Sequence, residues 1–111
     1  MKVVNRIKSN EEFAITVKKG KTLKVASYVV HYLRNERNVC RIGLSVSKKI
    51  GNAVTRNRVK RQIRAMCDSL IDYNAHTFDI VIIAKPEFLN KDFESNKQAL
   101  NKLLSEIGIT K

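Results

Sequence analysis

The sequence predicts an α+β fold, a two-layer sandwich in which three helices pack against a central, mostly antiparallel sheet of about four strands. Two observations predict this class. Apolar residues recur at helical spacing in separate segments, and segments rich in β-branched residues lie between them, in the order helix, hairpin, helix, strand, helix. The 111 residues, 43% of them hydrophobic, are expected to form a single domain, residues 1–111, with the helices on one face of the sheet.

The first helix is predicted to run from Asn10 to about Lys19. Ser9 and Glu12 have the spacing of a capping box, which marks a helix start. Gly20 is expected to end the helix in a left-handed conformation.

An antiparallel hairpin is expected next. Residues 23–33 are rich in Val and Tyr, and after a polar turn residues 39–46 alternate between apolar and polar side chains. The alternation places Arg41, Gly43 and Ser45 on one face, which is therefore expected to be partly polar.

Two further helices are predicted on either side of one strand. The helix at residues 52–70 has an apolar stripe formed by Val59, Ile63, Met66, Cys67 and Leu70. The run Phe78–Ala84 is typical of a strand that is covered on both faces. The last helix is expected to begin near Asn90 and to end at Gly108, with a stripe formed by Phe93, Leu100, Leu103, Leu104 and Ile107.

The positive charge is concentrated in one part of the chain. Lys and Arg number 22 against 10 Asp and Glu, which gives a net charge of +12. Nine of the basic residues, and no acidic residue, lie between Arg37 and Cys67. An ordinary solvated surface would spread the excess along the chain, so this block favours a polyanionic partner. The absence of Trp favours nucleic acid over a membrane surface.

No group of side chains predicts catalysis or metal binding by the protein itself. His31 and His76 have no Cys or carboxylate neighbour at ligand spacing, and Asp68 and Asp72 are typical of a solvated helix surface. Gly51 lies at a helix start that suits phosphate binding, but the GK[ST] of a nucleotide-binding P-loop is missing.

Cysteine content and hydropathy favour the cytoplasm. Cys40 and Cys67 fit neither a disulfide framework nor zinc spacing, so both are expected to be reduced core residues. The longest apolar run is far shorter than the roughly 20 residues of a membrane span, and no secretory signal is expected.

Two surfaces are candidates for nucleic-acid binding. The basic helix region at residues 47–64 suits a phosphate backbone; the alternative, a solvated helix face, usually mixes acids with bases. The second is a platform for unstacked bases on the first helix and the hairpin. For its residues, burial in the core is the alternative. They are Phe13, Val17, Tyr28, His31 and Tyr32.

The segment Arg41–Arg64, RIGLSVSKKIGNAVTRNRVKRQIR, closely resembles the central segment of the protein subunits of bacterial ribonuclease P. NEEF near the start, the strand before Lys85 and Pro86, and the final helix match the same family. The resemblance implies a ribosomal-protein-like α/β sandwich with a left-handed crossover, whereas such connections between parallel strands are right-handed in most proteins.

The resemblance also implies a function. The protein would bind the catalytic RNA of ribonuclease P and help that RNA to remove the 5′ leader of precursor tRNA, with Mg²⁺ used by the holoenzyme. No catalytic side chain, protein metal ligand or obligate protein partner is expected. A structural ribosomal-type RNA-binding protein is the alternative, and a helix-in-groove DNA binder is a third hypothesis.

The family's functional positions fall on two sets of residues here. Those implied to bind the catalytic RNA are Lys48, Lys49, Asn52, Arg56, Asn57, Arg58, Lys60, Arg61 and Arg64. The leader-binding cleft would contain Phe13, Val17, His31, Ser45 and Ser47. Many relatives have aromatic residues at the positions of Val17 and His31, so weaker stacking on the leader is implied.

Overall fold

The computed structural model describes residues 1–111 and contains four strands and three α-helices. The strands are β1 (Lys21–Lys24), β2 (Tyr28–Arg34), β3 (Arg41–Val46) and β4 (Phe78–Ala84). The helices are α1 (Asn10–Lys19), α2 (Ala53–Leu70) and α3 (Phe93–Ile107), with short 3₁₀-helices at Val3–Asn5 and Pro86–Asn90. The sheet order is β1-β2-β4-β3, in which only β3 and β4 are parallel neighbours. The predicted α+β class with a mostly antiparallel sheet is confirmed.

The hairpin joins different segments from those that were predicted. β2 pairs with β1 through a turn in which the Val25 amide donates to the Tyr28 carbonyl. β4 lies between β2 and β3 and pairs with both. The predicted pairing of residues 23–33 with residues 39–46 is therefore wrong. β4 is apolar on both faces, which favours a central position in the sheet. Because it lies between β2 and β3, these two strands do not pair with each other, although they are adjacent in sequence.

The helices cover both faces of the sheet. Ile80 and Ile82 of β4 point to the face where α2 and α3 complete the hydrophobic core. Val81 points to the other face and is also fully buried. On that face Phe13 of α1 packs against Gly43 of β3. The expectation of helices on one face is wrong for α1, because the reverse face of the central strand is apolar and needs its own cover.

The bounds of α1 are as predicted, but the conformation of the residue that ends it differs. Ser9 Oγ accepts a hydrogen bond from the Glu12 amide at 3.3 Å. Gly20 has φ −74°, so the left-handed stop is wrong. The position requires glycine for a different reason: a Cβ there would lie 2.4 Å from the Thr16 carbonyl oxygen and 2.7 Å from that of Tyr32.

The last helix begins later than predicted. Asp92 caps it by accepting from the Ser95 amide at 2.8 Å, and Asn90 belongs to the preceding 3₁₀-helix. Phe93, expected on the buried stripe, is 41% exposed. Helical spacing fixes the direction of a side chain but not whether a neighbouring element covers it. Gly108 ends α3 with φ 90°, as predicted.

The apolar stripe of α2 is buried as predicted except at Leu70, which is half-buried, and Cys40 and Cys67 are confirmed as unpaired core residues. Burial raises the pKa of the Cys40 thiol to about 12. None of the helices combines the length and the apolar character needed to cross a membrane.

Ile63→Ala should lower the free energy of unfolding by about 2 to 5 kcal/mol, because the Ile63 side chain is fully buried in the core. Urea denaturation followed by circular dichroism measures the change. Val54→Ala is the matched control on the same helix, since Val54 is 74% exposed. Equal losses in the two variants would contradict the assigned orientation of α2.

Candidate nucleic-acid interface

The loop before α2 is a fixed turn that starts the helix. Gly51 has φ 155°, and a Cβ there would lie 3.2 Å from the Thr55 side chain, so the turn requires glycine. Asn52 Oδ1 accepts from the Thr55 amide at 2.9 Å and caps α2. Arg56 Nη1 donates to the Gly51 carbonyl at 2.9 Å. Asn52 and Arg56, both predicted to bind RNA, therefore also hold this turn in place.

The basic block divides into two groups in the structure. Arg37 and Arg41 pair with acidic side chains. The remaining seven cations form no ion pair within the protein. Four of the seven are exposed, namely Lys48, Lys49, Arg58 and Arg61. The other three, which are half-buried, are Arg56, Lys60 and Arg64.

Five of these seven cations lie on α2, and Lys48 and Lys49 lie in the turn that precedes it. Lys60 and Arg64 line a groove along the β3 edge, together with Arg6. Arg58 lines a different groove, towards the start of α3. Arg61 is exposed and lies between these two sides of the helix. The result is a broad, mainly cationic surface, which suits a folded polyanion better than a small ligand.

The predicted cleft lies under α1, on the other face of the sheet. Phe13 is half-buried against Gly43, where a Cβ would approach the ring to 2.9 Å. His31 and Gly43 are both register partners of Val81, so the three residues form one row across the sheet. Val17 follows Phe13 by one helical turn and is also half-buried. The structure thus brings Phe13, Val17 and His31 to the same side of the sheet.

The remaining predicted cleft residues lie at one end of β3. Ser45 shares the face of Gly43, and the exposed Ser47 follows the end of the strand.

Tyr28 and Tyr32, which were also candidates for the base-binding platform, do not belong to it, because they point to the opposite face. Tyr28 is fully buried there, and its hydroxyl donates to the Asn96 carbonyl at 3.0 Å. The core alternative is correct for Tyr28, and Tyr32 packs against this core.

The environment of His31 keeps its imidazole neutral. Partial burial first, and the nearby Lys24 second, hold the pKa of His31 below its ordinary value of 6.5. His31 Nδ1 lies 2.9 Å from Thr22 Oγ1, within hydrogen-bond distance. At neutral pH the cleft therefore presents an uncharged ring, in contrast to the cationic surface of α2.

A buried polar network, which the sequence analysis missed, holds α1 on the sheet. Arg41 donates to Asp79 twice, from Nε to Oδ1 at 2.9 Å and from Nη2 to Oδ2 at 2.7 Å. Arg41 also binds Glu12 of α1, and Asn35 Nδ2 donates to Asp79 Oδ1 at 2.8 Å. One sequence signal pointed to this network: Asp79 is the only charged residue in β4, and an acid in an apolar strand needs a buried partner.

Similarity to known proteins extends over nearly the whole chain. The family model described as Ribonuclease P matches residues 1–108. The chain belongs to the ribonuclease P family. The ribonuclease P protein component of Mesoplasma florum is 41% identical over 105 residues, covering 94% of this chain and 96% of that protein. That of Oceanobacillus iheyensis is 44% identical over 113 residues, covering 100% of this chain and 93% of that protein.

Solved structures of ribonuclease P proteins have the same fold. The protein from Staphylococcus aureus is 33% identical with a TM-score of 0.84, covering 96% of this chain and 98% of that one. The protein from Thermotoga maritima is 30% identical with a TM-score of 0.79, covering 91% and 96%. These matches confirm the resemblance and support ribonuclease P over a ribosomal role. As a ribonuclease P protein component, the chain has the RNA of that endoribonuclease as its partner, and the RNA carries the chemistry.

The acid stability of the protein should depend on Glu12. The hydrogen bond from Arg41 is the main cause that holds the pKa of Glu12 below its usual 4.5. The unfolded chain therefore binds a proton at Glu12 more readily than the folded chain does. The stabilisation by ionised Glu12 is present above pH 4.5 and is lost as the pH falls through the lower pKa of Glu12 in the folded protein. In the Glu12→Gln variant, the Tm should fall less steeply as the pH is lowered. Thermal unfolding across a pH series measures this dependence.

Glu11→Gln is the matched control for this prediction, because Glu11 is the exposed neighbour on α1 and forms no ion pair. This variant should follow the acid dependence of the unchanged chain. If Glu12→Gln also followed it, Arg41 would not hold Glu12 in the ionised form.

Proposed function

We propose that the outer side of α2 binds the catalytic RNA of ribonuclease P, and that the cleft under α1 binds the 5′ leader of precursor tRNA. The observation that carries the proposal is the set of seven cations that form no ion pair within the protein, in a segment of the chain, residues 37–67, that contains no acid. The residues assigned to the catalytic RNA are Lys48, Lys49, Asn52, Arg56, Asn57, Arg58, Lys60, Arg61 and Arg64.

The chemistry of α2 supports binding to phosphates. Unpaired like charges repel one another, so the surface gains free energy when phosphates neutralise it and release their counterions. The guanidinium groups of Arg58 and Arg61 suit two parallel hydrogen bonds to one phosphate. No acidic residue lies in the first turn of α2, so the positive end of the helix dipole adds to the same field. The turn held by Gly51 and Arg56 presents these groups on a rigid backbone.

The cleft supports binding to a single strand. The ring of Phe13 offers one stacking surface, the neutral His31 a second flat group, and Ser45 a hydroxyl for a phosphate or sugar. Val17 adds an apolar contact without a ring, so we expect modest affinity for the leader. Ser47 links this cleft to Lys48, so the leader and the catalytic RNA would occupy adjoining surfaces of one domain.

Hydrolysis is assigned to the RNA together with Mg²⁺, in the cytoplasm. Mg²⁺ prefers oxygen ligands, and no three His, Cys, Asp or Glu side chains come together in this protein to hold a metal ion. Phosphate oxygens of the RNA would supply those ligands. The cations of α2 would neutralise part of the RNA charge and so reduce the Mg²⁺ concentration that the holoenzyme requires.

Reconstitution tests the function directly. Adding the protein to its cognate RNA at low Mg²⁺ should increase cleavage of precursor tRNA at the 5′ end of the mature tRNA, because the protein supplies cations that the RNA lacks. Gel analysis of a labelled precursor measures the rate. No increase at any salt or Mg²⁺ concentration would refute the proposal, and cofractionation with ribosomal subunits would favour the ribosomal alternative.

Arg61→Ala should weaken binding to the cognate RNA and reduce the slope of log affinity against log salt by about one, the loss of one phosphate contact. Arg61 is exposed and forms no ion pair, so folding should be unchanged. Filter binding across a salt series measures the slope. Lys102→Ala, an exposed lysine of α3, should leave it unchanged; a loss of slope in both variants would mean that the charge of α2 has no special role.

A further inference from the structure

A second groove next to α2 contains the one exposed aromatic residue of the protein. Phe93 is 41% exposed, whereas the six other aromatic side chains are buried or half-buried. The groove has a volume of about 350 Å³ and lies between α2 and the start of α3. Its lining includes Arg58, Gln62, Leu89, Lys91 and Phe93.

The backbone that carries Phe93 is held firmly. Phe88, at the base of the groove, is buried and packs edge-to-face on Tyr28 with the ring centroids 5.7 Å apart. The buried Asn96 side chain donates to the Phe88 carbonyl at 2.9 Å. Asp92 brings one carboxylate to the groove, but this group already caps α3. The backbone on both sides of Phe93 is therefore held in place, and it presents the exposed ring at the edge of the groove.

Apart from the Asp92 carboxylate, the polar side chains of the groove have no side-chain partner within the protein. Arg58 and Lys91 form no ion pair, and the Gln62 amide makes no side-chain hydrogen bond. A flat apolar ring, two cations and an amide are the groups that bind one unstacked nucleotide: the ring stacks on the base, cations contact the phosphates, and the amide pairs with the base edge.

We propose that this groove binds a single unstacked nucleotide of ribonuclease P RNA, with its base on Phe93 and its flanking phosphates at Arg58 and Lys91. The inference rests on the proposed function, because it takes the same RNA as the partner of α2. The charge favours RNA over a second copy of this chain, which would bring its own cations to the groove and has a net charge of +12.

Substitutions at Phe93 test the flat ring separately from its apolar character. Phe93→Leu should weaken binding to the RNA by about fivefold to a hundredfold, and Phe93→Tyr should restore it, because stacking needs an aromatic face. Ile15→Ala is the control, since Ile15 is 39% exposed on α1 and should leave the affinity unchanged. Thermal unfolding of each variant checks that the fold is kept.

A fluorescence measurement gives an independent readout. The chain has no Trp, so Phe93→Trp introduces a single indole at the groove. Saturating RNA should quench its emission, because a base stacks on the indole. Unchanged emission with bound RNA, or full affinity of Phe93→Leu, would overturn the nucleotide site. The nucleotide site would also be overturned if light scattering showed self-association of the unchanged chain and Phe93→Ala abolished it. Failure of the proposed function would look different: the unchanged chain itself would not bind the RNA.

Discussion

The buried ion pair between Arg41 and Asp79 is the contact on which the geometry of both candidate surfaces depends. It joins β3 to β4, the only parallel neighbours in the sheet, and through Glu12 it ties α1 to the same point. The two paired side chains are only 8% and 11% exposed. Removal of Arg41 would leave the buried Asp79 carboxylate without a counter-charge, which costs about 3 to 5 kcal/mol in comparable pairs. The position of Phe13 over Gly43 therefore depends on this pair.

β3 is the element that the two surfaces share. Its alternation directs Ile42 and Leu44 into the core beneath α2, while Gly43 and Ser45 face α1. The same six-residue strand then leads directly into the fixed turn that starts α2. One strand thus positions the cleft under α1 on one face of the sheet and a cationic helix on the other.

The periodicity of the sequence predicted the helices, β4 and the core stripe of α2 well, because these patterns depend on local spacing. Pairing was predicted poorly, since nothing local shows that β4 inserts between β2 and β3. The basic residues illustrate the same limit at the site. Arg41 and Arg58 look alike in the sequence, yet Arg41 lies buried against Asp79 and Arg58 lies free in a groove. Only contacts between distant segments separate the two roles.

The proposed surfaces would divide affinity and recognition between different parts of this molecule. Cations that contact phosphates bind any nucleic acid, and salt weakens them strongly. Stacking on an aromatic ring distinguishes unpaired nucleotides from duplex, and it depends less on salt because no counterion is released. On the proposed assignments, the charged side of α2 would provide affinity, whereas Phe13 in the cleft and Phe93 beside Arg58 would select single-stranded features. Because these rings lie on opposite faces of the sheet, one RNA nucleotide cannot occupy both, so on the proposed assignments the protein would contact its RNA partners at separate unpaired positions.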